Sequence, residues 1–149
     1  MFSEFEKIHK KINNYANDNG INVSIDEAGI VTCTMKIEEK HLSSPNVCHG
    51  GVMAGFMDTV MGSAALSQVI LNKNLVSTVE FKLNYFRPVY LHDELIGKGK
   101  VIYHGRKLIY AEGEVYNAAT NKILAKGLGT FNIYPLHRKE EELKKSEII

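Results

Sequence analysis

His49-Gly50-Gly51-Val52-Met53-Ala54-Gly55-Phe56-Met57-Asp58-Thr59-Val60-Met61-Gly62-Ser63-Ala64-Ala65-Leu66-Ser67-Gln68-Val69-Ile70-Leu71 is the stretch on which the fold turns. From Val52 to Leu71 the only charge is Asp58, and by length alone such a run can cross a bilayer. Its composition argues against that. The run holds Thr59, Ser63, Ser67, Gln68 and two glycines, and an ionised carboxylate near the middle of a lone span costs roughly 2.5 to 3.5 kcal/mol. A helix apolar on all sides also suits the buried centre of a soluble fold, and everything downstream reads as sheet.

Upstream, Phe2, Phe5, Ile8, Ile12 and Tyr15 recur at helical spacing until Asn17-Asp18-Asn19-Gly20 ends the pattern. This predicts an amphipathic helix over residues 1–19. Val31, Cys33, Met35 and Ile37 alternate with Thr32, Thr34 and Lys36, a half-buried strand. Downstream, Val79, Phe81, Leu83 and Tyr85 alternate with Thr78, Glu80, Lys82 and Asn84 until Arg87-Pro88 stops the strand. Three more strands are expected, at about Glu94 to Tyr103, Lys107 to Tyr116 and Ile123 to Tyr134, with short links that favour antiparallel neighbours. One face of the last two carries Ile109, Ala111, Gly113 and Val115, then Ile123, Ala125, Gly127, Gly129 and Phe131. Small residues mid-strand leave a trough into which the apolar helix, with its own Gly55, Gly62, Ala64 and Ala65, can sink. The expected shape is a curved antiparallel sheet around one long helix. Residues 136–149 read as a charged tail, and from Arg138 to Glu147, mostly Lys and Glu, as a solvated, frayed helix.

The totals bound the function. The chain has 149 residues, one domain's worth, and a formal net charge of +1, which gives no field for binding nucleic acid or an anionic membrane. Charges interleaved through the first twenty residues leave no uncharged segment for a secretory signal. Two cysteines, Cys33 and Cys48, make neither a disulfide framework nor a metal knuckle, and point to the reducing cytoplasm. His41, His92 and His104 lack a metal-ligand spacing, so no metal is expected.

Asp58 is the most informative residue. Among Phe56, Met57, Val60 and Met61 a carboxylate would lose hydration, and a desolvated carboxylate is the stronger base. His49-Gly50-Gly51 falls where the helix begins, where free N–H groups and the positive dipole end gather and glycine admits close approach. Such an end can hold an oxyanion. Gly50 and Asp58 are eight residues apart, roughly 12 Å along a straight helix. They cannot both touch one carbonyl within a chain. If both serve one reaction, Asp58 of one copy meets Gly50 of another, which predicts a dimer with two equivalent sites across its interface. Cys48 beside His49 is a weaker nucleophile–base pair, because adjacent side chains rarely converge. Arg106-Lys107, after a glycine turn, can contact phosphates of a nucleotide carrier. Tyr85, Phe86, Tyr90 and Tyr103 are candidates for an aryl-accepting pocket or ordinary core.

His49-Gly50-Gly51-Val52, Asp58 nine residues after the histidine, Gly62, Ala64-Ala65, and Thr78-Val79-Glu80-Phe81 through Asn84-Tyr85-Phe86-Arg87-Pro88 together resemble the hotdog-fold acyl-CoA thioesterases of the phenylacetate-degradation (PaaI-like) type. The resemblance spans about residues 20 to 135. It implies an α+β hotdog fold as a single domain over 1–149, edge-to-edge homodimers that pair into a dimer of dimers, and thioester hydrolysis with no metal or bound cofactor, CoA being part of the substrate. It implies Asp58 as the catalytic carboxylate, as general base or nucleophile, and Gly50 N–H as the oxyanion donor. His49 shapes the loop and Thr78 is the hydroxyl that helps to orient water. Gly51, Arg87, Arg106 and Lys107 are substrate-binding candidates. Many members carry Asn six residues before the histidine, where this chain has Ser43, and Gly three before it, where this chain has Asn46. Asn46 can enter the left-handed region as glycine does, and it is the candidate to supply the missing amide. The Ser43 departure also leaves open a non-catalytic acyl-CoA sensor on the same fold, and a hydratase is a third reading.

Overall fold

The computed structural model describes residues 2–146. Two N-terminal helices, α1 (Phe2–Ile12) and α2 (Asn14–Asp18), precede the hairpin β1 (Asn22–Glu27) and β2 (Ile30–Lys36). A short hairpin, β3 (Leu42–Ser44) and β4 (Val47–Cys48), leads into α3 (Gly50–Val69). Then come β5 (Asn74–Tyr85), β6 (Glu94–His104), β7 (Leu108–Asn117), β8 (Ile123–Pro135) and α4 (Leu136–Ser146). Six strands form one sheet in the order β1-β2-β6-β7-β8-β5, every neighbour antiparallel. It wraps around α3, which makes this a hotdog fold.

The trough is real, and one strand wider than the sequence suggests. Gly99 pairs with Gly113 and Gly113 with Gly127, so a row of glycines crosses β6, β7 and β8. The helix lies on that row. A Cβ on Gly99 would stand 2.5 Å from the Val60 carbonyl oxygen, one on Gly113 2.5 Å from Met57 Sδ, and one on Gly127 2.8 Å from Met57 Cγ. At Gly99 the obstacle is backbone, which cannot turn aside as a side chain can. Phe56, Met57, Val60, Met61, Ala64 and Ala65 are fully buried, and each large one contributes about 1.5 to 3 kcal/mol on leaving water. The helical run Gly50–Asn72 is long and apolar enough to cross a membrane. Here the sheet covers one side of it, and half of its residues are buried.

The N-terminal helix, β1 and β5 depart from the sequence expectation. The N-terminal helix is broken at Asn13, whose Oδ1 accepts the Ala16 N–H at 3.0 Å and starts a second helix. Phe2 and Phe5 pack against the core; the side chains of Ile8 and Ile12 lie outside the described residues. Strand β1 was not expected, although Ile21, Val23 and Ile25 alternate with polar residues and Gly29, at φ 83°, supplies its turn. In β5 a bulge between Thr78 and Glu80 shifts the pairing with β8. That extra residue reverses the alternation, so Val79 is turned to solvent and Thr78 faces the helix. The charged tail is helical as expected, forming α4 up to Ser146; residues 147–149 lie outside the described residues.

Candidate active site

The start of α3 explains its glycines. His49, extended at φ −62° and ψ 134°, is the N-cap, and its Nδ1 accepts the Gly51 N–H at 2.7 Å. Val52 and Met53 N–H groups both turn to the His49 carbonyl. Of the first-turn donors that a helix leaves unpaired, only Gly50 N–H has no partner among the described residues. A Cβ on Gly51 would stand 2.9 Å from His49 Nδ1, so glycine there lets the imidazole fold over the helix end. The Gly50 carbonyl accepts the Tyr85 hydroxyl at 2.6 Å, which fixes the peptide's neighbour on β5. Gly50 and Tyr85 share a cleft of about 270 Å³ with Arg87, whose guanidinium donates to the Ile123 carbonyl.

Asp58 lies two turns further along. The expectation that it sits among Phe56, Met57, Val60 and Met61 is corrected: those four are fully buried against the sheet, while Asp58 is half-buried on another face. Helical geometry is the reason, since at 3.6 residues per turn Phe56 and Val60 project about 160° away from Asp58. Its Oδ1 accepts the Thr78 hydroxyl at 2.8 Å, the contact that the β5 bulge makes possible. Asp58 and Thr78 open into a cavity of about 360 Å³, shared with Gly62 and Ser63 of α3, Val76 of β5, Phe131 of β8, and His9, Asn13 and Tyr15 of the N-terminal segment. Burial lowers the pKa of His9, and burial followed by the charge of Asp58 raises that of Tyr15, so both favour their neutral forms beside the carboxylate.

One chain therefore brings Thr78 to Asp58 and Tyr85 to Gly50, and leaves the two pairs in separate clefts. Ser43 is exposed on β3, and Asn46 is exposed in the turn that follows. Asn46 adopts φ 65°, the left-handed conformation anticipated for it, and its carbonyl accepts the Leu91 N–H. Arg106 and Lys107 are exposed at the β6–β7 turn and line neither cleft. Cys48 makes no dyad with His49: its Sγ faces the His49 carbonyl at 3.5 Å, and burial, then Asp93, pushes the thiol up to about 11. Cys33, fully buried, is pushed up to about 12. Among the described residues no cluster of three His, Cys, Asp or Glu side chains is placed to hold a metal.

Sequence reasoning missed His41, which organises the loop before α3. It is buried, accepts the Glu38 N–H at Nδ1 (2.9 Å), and approaches Asn19 Oδ1 with Nε2 at 3.0 Å. With Nδ1 accepting, Nε2 carries the proton that it donates to Asn19. Its carbonyl takes the His49 N–H. Burial, then Lys40, holds its pKa below the ordinary 6.5, against a smaller opposite pull from Glu38. A histidine with a depressed folded pKa gives stability that is complete above 6.5 and is lost as pH falls through the folded value. Denaturant midpoints are accordingly expected to fall below pH 6.5, less steeply in His41→Asn. An equal slope in the variant would contradict this role.

The Asp58 carboxylate held by the Thr78 hydroxyl and the unpaired Gly50 N–H thus lie two turns apart on the central helix of a hotdog fold. The chain belongs to the thioesterase superfamily, which it matches over residues 45–123, and thioester hydrolysis is its class of activity. It is 28% identical over 102 residues to human acyl-coenzyme A thioesterase 13, covering 68% of this chain and 71% of that protein. In fold it is similar to the Escherichia coli PaaI protein from the phenylacetic acid degradation operon, with a TM-score of 0.74, 24% identity, and coverage of 86% and 91% of the two chains. It is also similar to a hypothetical thioesterase from Streptococcus pneumoniae solved with coenzyme A, with a TM-score of 0.75, 20% identity, and coverage of 85% and 97%.

Proposed function

We propose that this chain hydrolyses acyl-CoA thioesters to the free acid and CoA in a homodimer whose two sites each take Asp58 from one copy and Gly50 from the other. The observation that carries this reading is the Asp58 carboxylate, anchored through Oδ1 by Thr78 and facing an open cavity. Acting as base, Asp58 takes a proton from water as the water oxygen bonds to the thioester carbon. Acting as nucleophile, it attacks that carbon itself and water then releases the acid. In either case the carbonyl oxygen gains charge at the Gly50 N–H of the partner copy, and the C–S bond breaks to release the CoA thiolate, which takes up a proton. His49 secures the Gly50 peptide by occupying the neighbouring donor. Asn46 is the candidate for the amide absent at Ser43. Gly51, Arg87, Arg106 and Lys107 are assigned to the CoA moiety, as cations or close backbone for its phosphates.

No metal or cofactor enters this scheme. Dimers are assigned to pair into tetramers, and the two buried free thiols, Cys33 and Cys48, support a reducing, cytoplasmic setting. The long β5 edge, twelve residues with one side of its ladder open, supports edge-to-edge pairing. The test is release of free thiol from a panel of acyl-CoAs. Turnover by the wild type supports the reading. Binding by calorimetry with no turnover on any ester would overturn it in favour of the sensor, and enoyl-CoA hydration in favour of a hydratase.

A further inference from the structure

Tyr15 stands beside Asp58 because two unrelated parts of the chain make room for it. On α3, Gly55 lies one turn before Asp58, and it lacks the Cβ that would collide with the Tyr15 hydroxyl and stand 2.8 Å from its ring carbon Cζ. On the N-terminal side, the Tyr15 carbonyl accepts both the backbone N–H (3.1 Å) and the side-chain amide (2.9 Å) of Asn19. Asn19 is itself held by the buried His41. Asn13 caps the helix that carries the residue. The Tyr15 backbone is thus fixed from behind, and its ring, 46% exposed and seated over Gly55, lines the Asp58 cavity with His9 and Asn13 from the same segment.

We propose that Tyr15 determines which acyl groups the Asp58 pocket accepts, its ring forming the wall of that pocket between α2 and Gly55. This rests on the thioesterase reading above. The acyl chain must leave the thioester carbon within a cavity about 360 Å³ in size, and the aromatic ring is the largest side chain that the N-terminal segment sets against it. Removing the ring joins the cavity to the space over Gly55. Because an aromatic side chain is held by few torsions, it bounds a pocket more sharply than a flexible one. Tyr15 touches the acyl group and is a specificity-determining residue, while proton transfer stays with Asp58.

The experiment compares kcat and KM of the full-length enzyme on acetyl-, hexanoyl-, dodecanoyl- and benzoyl-CoA. Tyr15→Ala is expected to raise kcat/KM for the dodecanoyl and benzoyl esters at least tenfold relative to acetyl, mainly through KM. Tyr15→Phe, which restores the ring, is expected to restore the wild-type order of preference. Gly55→Ala displaces the ring by its Cβ while leaving residue 15 a tyrosine, so it is expected to disturb the same order and to add nothing in the Tyr15→Ala background. An unchanged order in Tyr15→Ala, or a Gly55→Ala effect of equal size with and without the ring, would overturn the proposal while leaving the hydrolase intact. A wild type inert on every ester would overturn both.

Discussion

Asp58→Asn is expected to lower kcat by about a thousandfold, within the range of roughly 10² to 10⁴ that general bases supply, and to leave the fold intact. The substitution keeps the side chain's shape. Its amide oxygen can still accept the Thr78 hydroxyl, now at 2.8 Å from Oδ1, so the β5 contact and the helix face survive. What disappears is the charge that takes a proton from water, and equally the oxygen that attacks a thioester carbon. A thousandfold loss corresponds to about 4 kcal/mol of transition-state stabilisation. Thr78→Ala should do less, because it frees the carboxylate to rotate without removing it. The measurement is steady-state hydrolysis of the best ester of the panel, with calorimetric binding of the same ester as a control. An Asp58→Asn enzyme that retains full turnover would sink the assignment.

Gly50→Pro is expected to cost about 10² to 10³ in kcat, the magnitude of losing one oxyanion donor. Proline deletes the N–H and little else at this position. Gly50 is the first residue of α3, where proline is favoured because its missing donor has no helical partner. The residue before a proline must be extended, and His49 already is, at φ −62° and ψ 134°. A Cβ on Gly50 meets only the Tyr85 side chain, at ordinary contact distances of 3.6 Å and beyond. Loss of turnover with a retained circular-dichroism melt therefore reports on the hydrogen bond. Full activity in Gly50→Pro would remove Gly50 from the mechanism.

The central helix and its trough were legible because both are local signals. Twenty nearly uncharged residues identify a buried helix, and strands with Gly113, Gly127 and Gly129 at mid-length announce a close approach. Gly97 and Gly99 of β6 carry the same signal and extend the trough by one strand, each lying against Val60. Asp58 and Gly50 stood out for the same local reasons. The surroundings of Asp58 did not, because neighbours in sequence are not neighbours on a helix face: Phe56 and Val60 point to the sheet. Thr78 was read on the outward side of its strand, since nothing in the composition of β5 marks the bulge that turns it inward. Tyr15 and His41 were beyond reach for a different reason. Their roles depend on contacts with Gly55 and Asn19, pairs separated widely along the chain and joined only by the tertiary fold.

The separation of the clefts around Gly50 and Asp58 makes one claim central: a single copy holds two half-sites and no whole one. Mixed assembly tests it most directly. Asp58→Asn and Gly50→Pro chains, each inactive alone, are refolded together at equal concentration. In a mixed dimer one of the two sites joins an intact Asp58 to an intact Gly50 and the other joins the two defects. Random pairing then predicts recovery of roughly a quarter of the wild-type rate. A mixture that forms dimers and stays as inactive as its parents would contradict the account.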